Sequence, residues 1–297
     1  MFHKKGIKLY NSFDFFNYFL MLSACFITLY PFWFVIVNSF NDGTDGLRGG
    51  IYWWPRVFTL ENYRVVFINP DIVSSFKISV LRTVIATFLA VFFTAMVAYA
   101  FSKKWLIGKK FYMAVGTITL FFGGGLIPYF ILLKKLGFLD HFIIFILPTM
   151  FNFYNLIIFQ AFFREIPSDI EESAKIDGAN DILIFLKIII PLSTPVLATI
   201  ALFIGVYNWN DFFFGVLFIN NPKLLPIQTI LYKVISETSA GQMLSSVFLP
   251  TTVSAKRVTS TSVKLATMMV ATVPILCVYP FVQKYFVKGI MLGSVKG

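Results

Sequence analysis

The sequence predicts an all-α, polytopic membrane protein with about six transmembrane helices. Three observations carry that prediction. Of 297 residues, 58% are hydrophobic and 13% charged; the mean hydropathy is +0.78; and the apolar residues fall in long continuous runs. A soluble domain needs polar side chains across its surface, and this chain has too few. A spanning segment must satisfy its own backbone polar groups, as a helix or in a closed barrel. Barrel strands would alternate over about ten residues, and these runs do not.

Crossing about 30 Å of hydrocarbon takes roughly 20 apolar residues in a helix. The runs near Tyr18–Val37, Val80–Phe101, Phe111–Leu133, Phe142–Phe163, Leu192–Phe218 and Leu265–Phe286 meet that length. The first follows Lys4, Lys5 and Lys8 as a signal peptide would. It runs on too long and lacks an A-x-A exit, so it is expected to stay as an anchor. Arg82 lies near the start of the second, close enough to snorkel. Gly123, Gly124, Gly125 and Pro128 interrupt the third, where close helix packing is the expected role of the glycines.

Polar side chains interrupt the fourth and fifth spans: Asn152, Tyr154 and Asn155, then Asn208, Asn210 and Asp211 in "YNWNDFF". An ionised Asp at the bilayer centre costs roughly 2.5–3.5 kcal/mol, so Asp211 should face the bundle interior, water or a partner, unless its span ends early and leaves it interfacial.

Six spans place both termini on one side. Lys and Arg near the helix ends, at Lys103–Lys110 and around Arg164–Lys187, favour the cytoplasmic side for the termini and for the 164–191 loop. The segments 41–77 and 219–264 are then extracellular, the first with "WWP" at its centre, where Trp53 and Trp54 are expected to anchor at the interface. Without internal repeats, residues 1–297 are read as one domain.

Several function classes drop out. There is no G-x-x-x-x-G-K-[ST] loop, so nucleotide energy would have to come from another subunit. His3 and His141 are the only histidines and lie far apart, which disfavours metal or triad catalysis; no enzyme activity and no metal site are expected. The net charge of +11 flanks apolar runs, so anionic membrane lipid is the expected partner and nucleic acid is not. Cys25 and Cys277 lie in apolar runs and imply no disulfide.

One segment does not fit an ordinary membrane bundle: "REIPSDIEESAKIDGANDILIFLKIIIPLSTP". Ser168 with Glu171 has the spacing of a reciprocal N-terminal cap. Gly178 permits the positive φ that ends a helix near Asp177. Ile182, Phe185, Leu186, Ile189 and Ile190 then form one apolar stripe on a second helix, stopped at Pro191. The small and polar outer face at Ser173, Ala174, Gly178 and Ala179 is expected to receive another protein.

These residues resemble the "EAA" loop of permease subunits in binding-protein-dependent ABC importers, which reads E-A-A, three residues, G, nine residues, I-x-L-P. Here Glu172-Ser173-Ala174 is followed at the same spacing by Gly178 and by Ile188-Ile189-Ile190-Pro191. Ser replaces the first Ala and Ile replaces Leu, both close in size. "LKKLGFLDH", "YNWNDFF", "LPIQTIL" and "QKYFVKGIMLGSVKG" extend the resemblance to the maltose-type and oligosaccharide-type carbohydrate permeases over nearly the whole chain.

The resemblance implies a cytoplasmic coupling-helix hairpin. Glu171, Glu172, Ser173, Ala174, Asp177, Gly178, Ala179, Ile188 and Pro191 would form the ATPase-coupling surface, and Val295, Lys296 and Gly297 would reach toward the ATPase. It further implies a heterodimer with a second permease, an ATPase dimer that binds ATP and Mg, an extracellular solute-binding protein, and a carbohydrate substrate, an oligosaccharide. Asn152, Tyr154, Asn155, Asn208, Trp209, Asn210 and Asp211 are then candidates for the translocation pathway or bundle interior, with the Trp209 ring of a type that stacks on sugar faces. The place implied is a bacterial cytoplasmic membrane. A permease for a non-sugar solute is the alternative, and a self-sufficient secondary transporter is a more distant one.

Overall fold

The computed structural model describes residues 12–236 and 258–294, so the terminal Val295, Lys296 and Gly297 lie outside the described residues. Among these the secondary structure is helical, with one isolated bridge between Asn41 and Phe58. Three helices are long and apolar enough to span a membrane, and three bent pairs bring the total to as many as six. The described residues fall into two compact units, one within 12–69 and 258–270, the other within 70–236 and 271–294.

In the first unit, α1 (Ser12–Ser39) is apolar on every side and mostly exposed, as a lipid-facing span should be. Its C-terminal end closes in a polar knot. Asn62 of α3 (Glu61–Ile68) donates its amide to the carbonyls of Ser39 and Asn41, both at 2.8 Å, and Asp42 caps α2 (Gly43–Gly46) through the amides of Thr44 and Asp45. The buried Asn62 amide N–H groups and the Asp42 carboxylate are paired in this way, which helps a loop to sit there. Trp53 packs against Phe26 and Tyr30, and Trp54 against Trp33, so the "WWP" segment lies along α1.

The second unit is built around α4 (Pro70–Ser102), 33 residues with Pro at its first position, where the missing N–H is not needed. Small residues recur along its buried face at Ser75, Ser79, Ala86, Ala90, Thr94 and Ala98. They let α7 (Phe153–Glu165) and α11 (Thr194–Asn210) approach closely, and these are the helices α4 packs against most extensively. Leu156, Phe159, Phe163, Val196, Ile200 and Ile204 fill the space between them. In lipid that packing is held by dispersion contacts, because leaving the bilayer gains little hydrophobic free energy.

The remaining spans are broken. α5 (Lys109–Phe121) and α6 (Leu126–Lys135) meet at 116°, at Gly125 with φ +84°. Among the described residues nothing lies within 4 Å of a Cβ added at Gly123 or Gly124, so these glycines sit at the helix break without the close packing expected of them; Gly116, seated on the Phe153 ring, fills that role. The fourth span begins as 3₁₀ turns over 142–149 and bends by 49° into α7. The fifth ends at Asn210 and resumes as α12 (Phe213–Phe218), eight residues short of the helix end expected. α4 and α14 (Ser260–Ser294) start earlier than expected, and α13 (Ile227–Ser236) takes up part of the 219–264 segment. Asp140, at φ +59°, accepts bonds from the backbone amides of Asn220 and Asn221 and from the Asn220 side chain.

Candidate functional site

Pro167, extended at φ −57° and ψ 133°, turns the chain out of α7 and into α8 (Ser168–Ile176). The expected Ser168–Glu171 cap does not form. Ser168 is already helical, and the Glu171 carboxylate pairs instead with Lys103, one residue past α4. Lys103 is 9% exposed, its ammonium 3.9 Å from the centroid of the Tyr99 ring. Gln160 of α7 donates to the Phe101 carbonyl at 2.6 Å, so the same end of α4 is tied twice.

Gly178, at φ +82°, closes α8 in a Schellman turn: Ala179 N–H bonds the Ala174 carbonyl at 2.9 Å, and Gly178 N–H bonds that of Lys175 at 3.0 Å. That turn brings Ala174 and Ala179 together against the core of the unit, so neither belongs to the outer face expected to contain them. The outer face consists of Glu172, Ser173, Lys175, Ile176, Asp177 and Gly178, all exposed, with Ile176 at 86%. Beyond the turn Asn180 caps α9 (Asp181–Ile184) by accepting from Leu183 N–H at 2.8 Å, and Lys175 pairs with Asp181 at 3.2 Å. Both partners of that pair are about half exposed, which limits it to roughly 0–1 kcal/mol.

The apolar stripe predicted after the turn is rearranged. Ile184, Phe185 and Ile189 are buried, whereas Ile182 is 71% and Leu186 45% exposed. The cause is a π-helical turn at Phe185–Ile189, whose i→i+5 bonding shifts which residues share a face. Ile188 is partly buried, and Pro191 is exposed in the single turn α10 (Ile190–Leu192), before the 83° bend into α11. The hairpin is therefore rooted through Glu171, Ala174, Ala179, Ile184, Phe185 and Ile189, and it presents a charged surface that also bears the bare side chains of Ile176 and Ile182.

A second constellation lies at the other end of α11. Arg82 does not snorkel: twelve residues into α4 it is 1% exposed, with its guanidinium 4.6 Å from the Phe145 ring. It pairs with the Asp211 carboxylate and also donates to the Asp211 carbonyl at 3.0 Å. Asp211 sits in the break, and its other carboxylate oxygen accepts from Phe213 and Phe214, the first amides of α12. A charge taken out of water here is held by an opposite one, as a buried charge must be.

The other pathway candidates are not gathered into one cleft. Asn152 caps α7 by accepting from Asn155 N–H; Asn155 is buried and Tyr154 exposed. Asn208 is 1% exposed and its side-chain oxygen has no partner among the described residues; Asn210 is exposed. Trp209 is 7% exposed, donates its indole N–H to the Ala271 carbonyl at 2.9 Å and meets Phe76 edge-on. Its ring is used in helix packing, so the sugar-stacking expectation is not met in this arrangement. It borders a cavity of about 550 Å³ between α4, α11 and α14, lined by Val80, Val84, Ala201, Leu202 and Ile275. Thr83 contributes a hydroxyl to an otherwise apolar lining, so that space suits hydrocarbon and not a polyhydroxylated solute.

Lys103 and the partner of Asp211 were missed in the sequence. The available signal was that Arg82 and Asp211 are opposite charges inside two different predicted spans, which pairing relieves.

A family model described as binding-protein-dependent transport system inner membrane component matches residues 107–292. The chain is 41% identical over 285 residues to the polygalacturonan/rhamnogalacturonan transport system permease protein YtcP of Bacillus subtilis (strain 168), covering 96% of this chain and 98% of the relative. It is 39% identical over 275 residues to Protein LplC of the same organism, covering 91% and 90%. The crystal structure of a bacterial ABC transporter involved in the import of the acidic polysaccharide alginate contains a chain that superposes with TM-score 0.86 at 28% identity, covering 94% of this chain and all of that one.

Proposed function

The chain belongs to the family of binding-protein-dependent transport system inner membrane components, and from that premise we propose that it is one of two permeases in an importer of oligosaccharides. The second permease has a similar fold and completes the pathway. An ATPase dimer binds ATP and Mg on its own subunits, and an extracellular binding protein delivers the sugar. ATP-driven closure of the ATPase pushes the hairpin, and the bundle rocks between inward-open and outward-open states. Both termini and the hairpin face the cytoplasm.

The observation that carries this reading is the hairpin itself. Its inner face is fixed to the bundle by buried contacts, while its outer face offers Glu172, Asp177 and the exposed Ile176 with no partner surface among the described residues. Exposed charge keeps it in water; the bare isoleucine suits a groove on another subunit. The substrates named for the polygalacturonan/rhamnogalacturonan relative and the alginate importer favour chains containing uronic acids.

The test is copurification with the ATPase. Beyond the adjoining residues, no atom lies within 4 Å of a Cβ added at Gly178, so Gly178→Ala acts through its φ of +82° alone. That conformation costs an L-residue about 1–2 kcal/mol. The variant should insert normally and recover less ATPase; full recovery with unimpaired uptake of uronate oligosaccharide would contradict the proposal.

A further inference from the structure

The two ion pairs described above lie within α4 and just past its end. Lys103 follows α4 directly and holds Glu171 of the hairpin; Arg82 lies within α4 and holds Asp211 at the break between α11 and α12. The offset of 21 positions from Arg82 to Lys103 corresponds to about 31 Å at 1.5 Å per residue, close to the thickness of a bilayer core. After Pro70, α4 contains neither Gly nor Pro, whereas three other spans of its unit are bent by 116°, 49° and 83°. A rod without a hinge, fastened by desolvated charges at two depths, transmits displacement that broken helices would absorb.

We propose that α4 is the transmission rod of the import cycle: Lys103 takes up the movement of the hairpin through Glu171, and Arg82 delivers it to the Asp211 break on the far side of the membrane. Lys103 and Arg82 are positioning residues that touch neither sugar nor nucleotide. Gln160 reinforces the cytoplasmic grip by its bond to Phe101. The break is a suitable receiver because Asp211 holds the first amides of α12, so displacing Arg82 moves the end of α11 and the start of α12 together. The inference rests on the importer reading, and its test separates the two.

The experiment uses the assembled importer, with both permeases and the ATPase in nanodiscs and Cys25→Ser and Cys277→Ser in this chain. A reporter cysteine is placed at exposed Ser173 on the hairpin or at Tyr207, 55% exposed, in the last turn of α11. Maleimide labelling is timed with and without ATP. In the parent complex both reporters should change rate with ATP. With Lys103→Met the response at 173 should persist, while the response at 207 and the sugar moved per ATP each fall about tenfold, within the usual span of coupling between sites. Glu171→Gln should likewise suppress the response at 207, and the reversed pair Lys103→Glu/Glu171→Lys should restore it.

An undiminished response at 207 in Lys103→Met or Glu171→Gln would overturn the proposal. So would loss of the response at 173 in Lys103→Met, or a reversed pair that stays uncoupled. A parent complex in which ATP changes 173 but not 207 also overturns it, leaving the importer reading intact. If ATP changes neither reporter in the parent complex, the importer reading itself fails.

Discussion

Replacing Asp211 by Ala should be among the most damaging single changes in this chain. The Arg82 side chain is 1% exposed and that of Asp211 7%, so removing the carboxylate leaves a guanidinium out of water with only the residue 211 carbonyl, at 3.0 Å, and the Phe145 ring face for company. Breaking a buried pair on one side costs about 3–5 kcal/mol. Loss of the bonds to the first amides of α12 adds about 1 kcal/mol. At about 2 °C per kcal/mol for a chain of this size, the solubilised protein should melt roughly 8–12 °C lower. Thermal unfolding followed by tryptophan fluorescence reads this directly. The double variant Arg82→Met/Asp211→Leu removes both charges and should lose less than either single change, because no orphan charge remains. An Asp211→Ala protein within about 1 kcal/mol of the parent, or a double variant whose loss equals the sum of the singles, would refute the reasoning.

Two further outcomes follow from the geometry. Adding a methyl at Gly116 drives it into the Phe153 ring, so Gly116→Ala should cost about 1–3 kcal/mol, while Gly123→Ala, with open space around it, should melt as the parent does. The backbone amides of Asn221 and Asn220 hold the Asp140 carboxyl below its usual range, with the Asn220 side chain contributing. A depressed folded value means that this loop junction is fully stabilised above the ordinary Asp value and loses that stabilisation as pH falls through the folded one. Hydrogen exchange at the Asn220 and Asn221 amides, corrected for intrinsic rate, should accelerate below about pH 4, and Asp140→Asn should abolish the pH dependence.

Composition and run length made the spans legible, because a bilayer demands long apolar helices whatever their packing. The breaks were harder to place. Gly125 and Pro191 signalled interruptions, but the size of each bend depends on which neighbour satisfies the freed backbone, and sequence does not carry that. The stripe after Gly178 was misread because periodicity assumes 3.6 residues per turn, and one π turn at Phe185–Ile189 defeats it. The Ser168–Glu171 cap was misread for a different reason. Local spacing permitted it, and Lys103, 68 residues away, offered Glu171 a full charge in a drier place. Gly178 itself was read correctly, since the positive φ that ends α8 is a local requirement. Arg82 and Asp211 were each visible as anomalies; only three-dimensional proximity made them a pair.

The account depends most on the hairpin lying in the cytoplasm, where an ATPase can reach it. Labelling intact cells with a membrane-impermeant thiol reagent, in a chain carrying Lys175→Cys, Cys25→Ser and Cys277→Ser, tests this directly, because Lys175 is exposed on the hairpin's outer face. The account predicts no modification until the membrane is permeabilised. Modification from outside intact cells would contradict it.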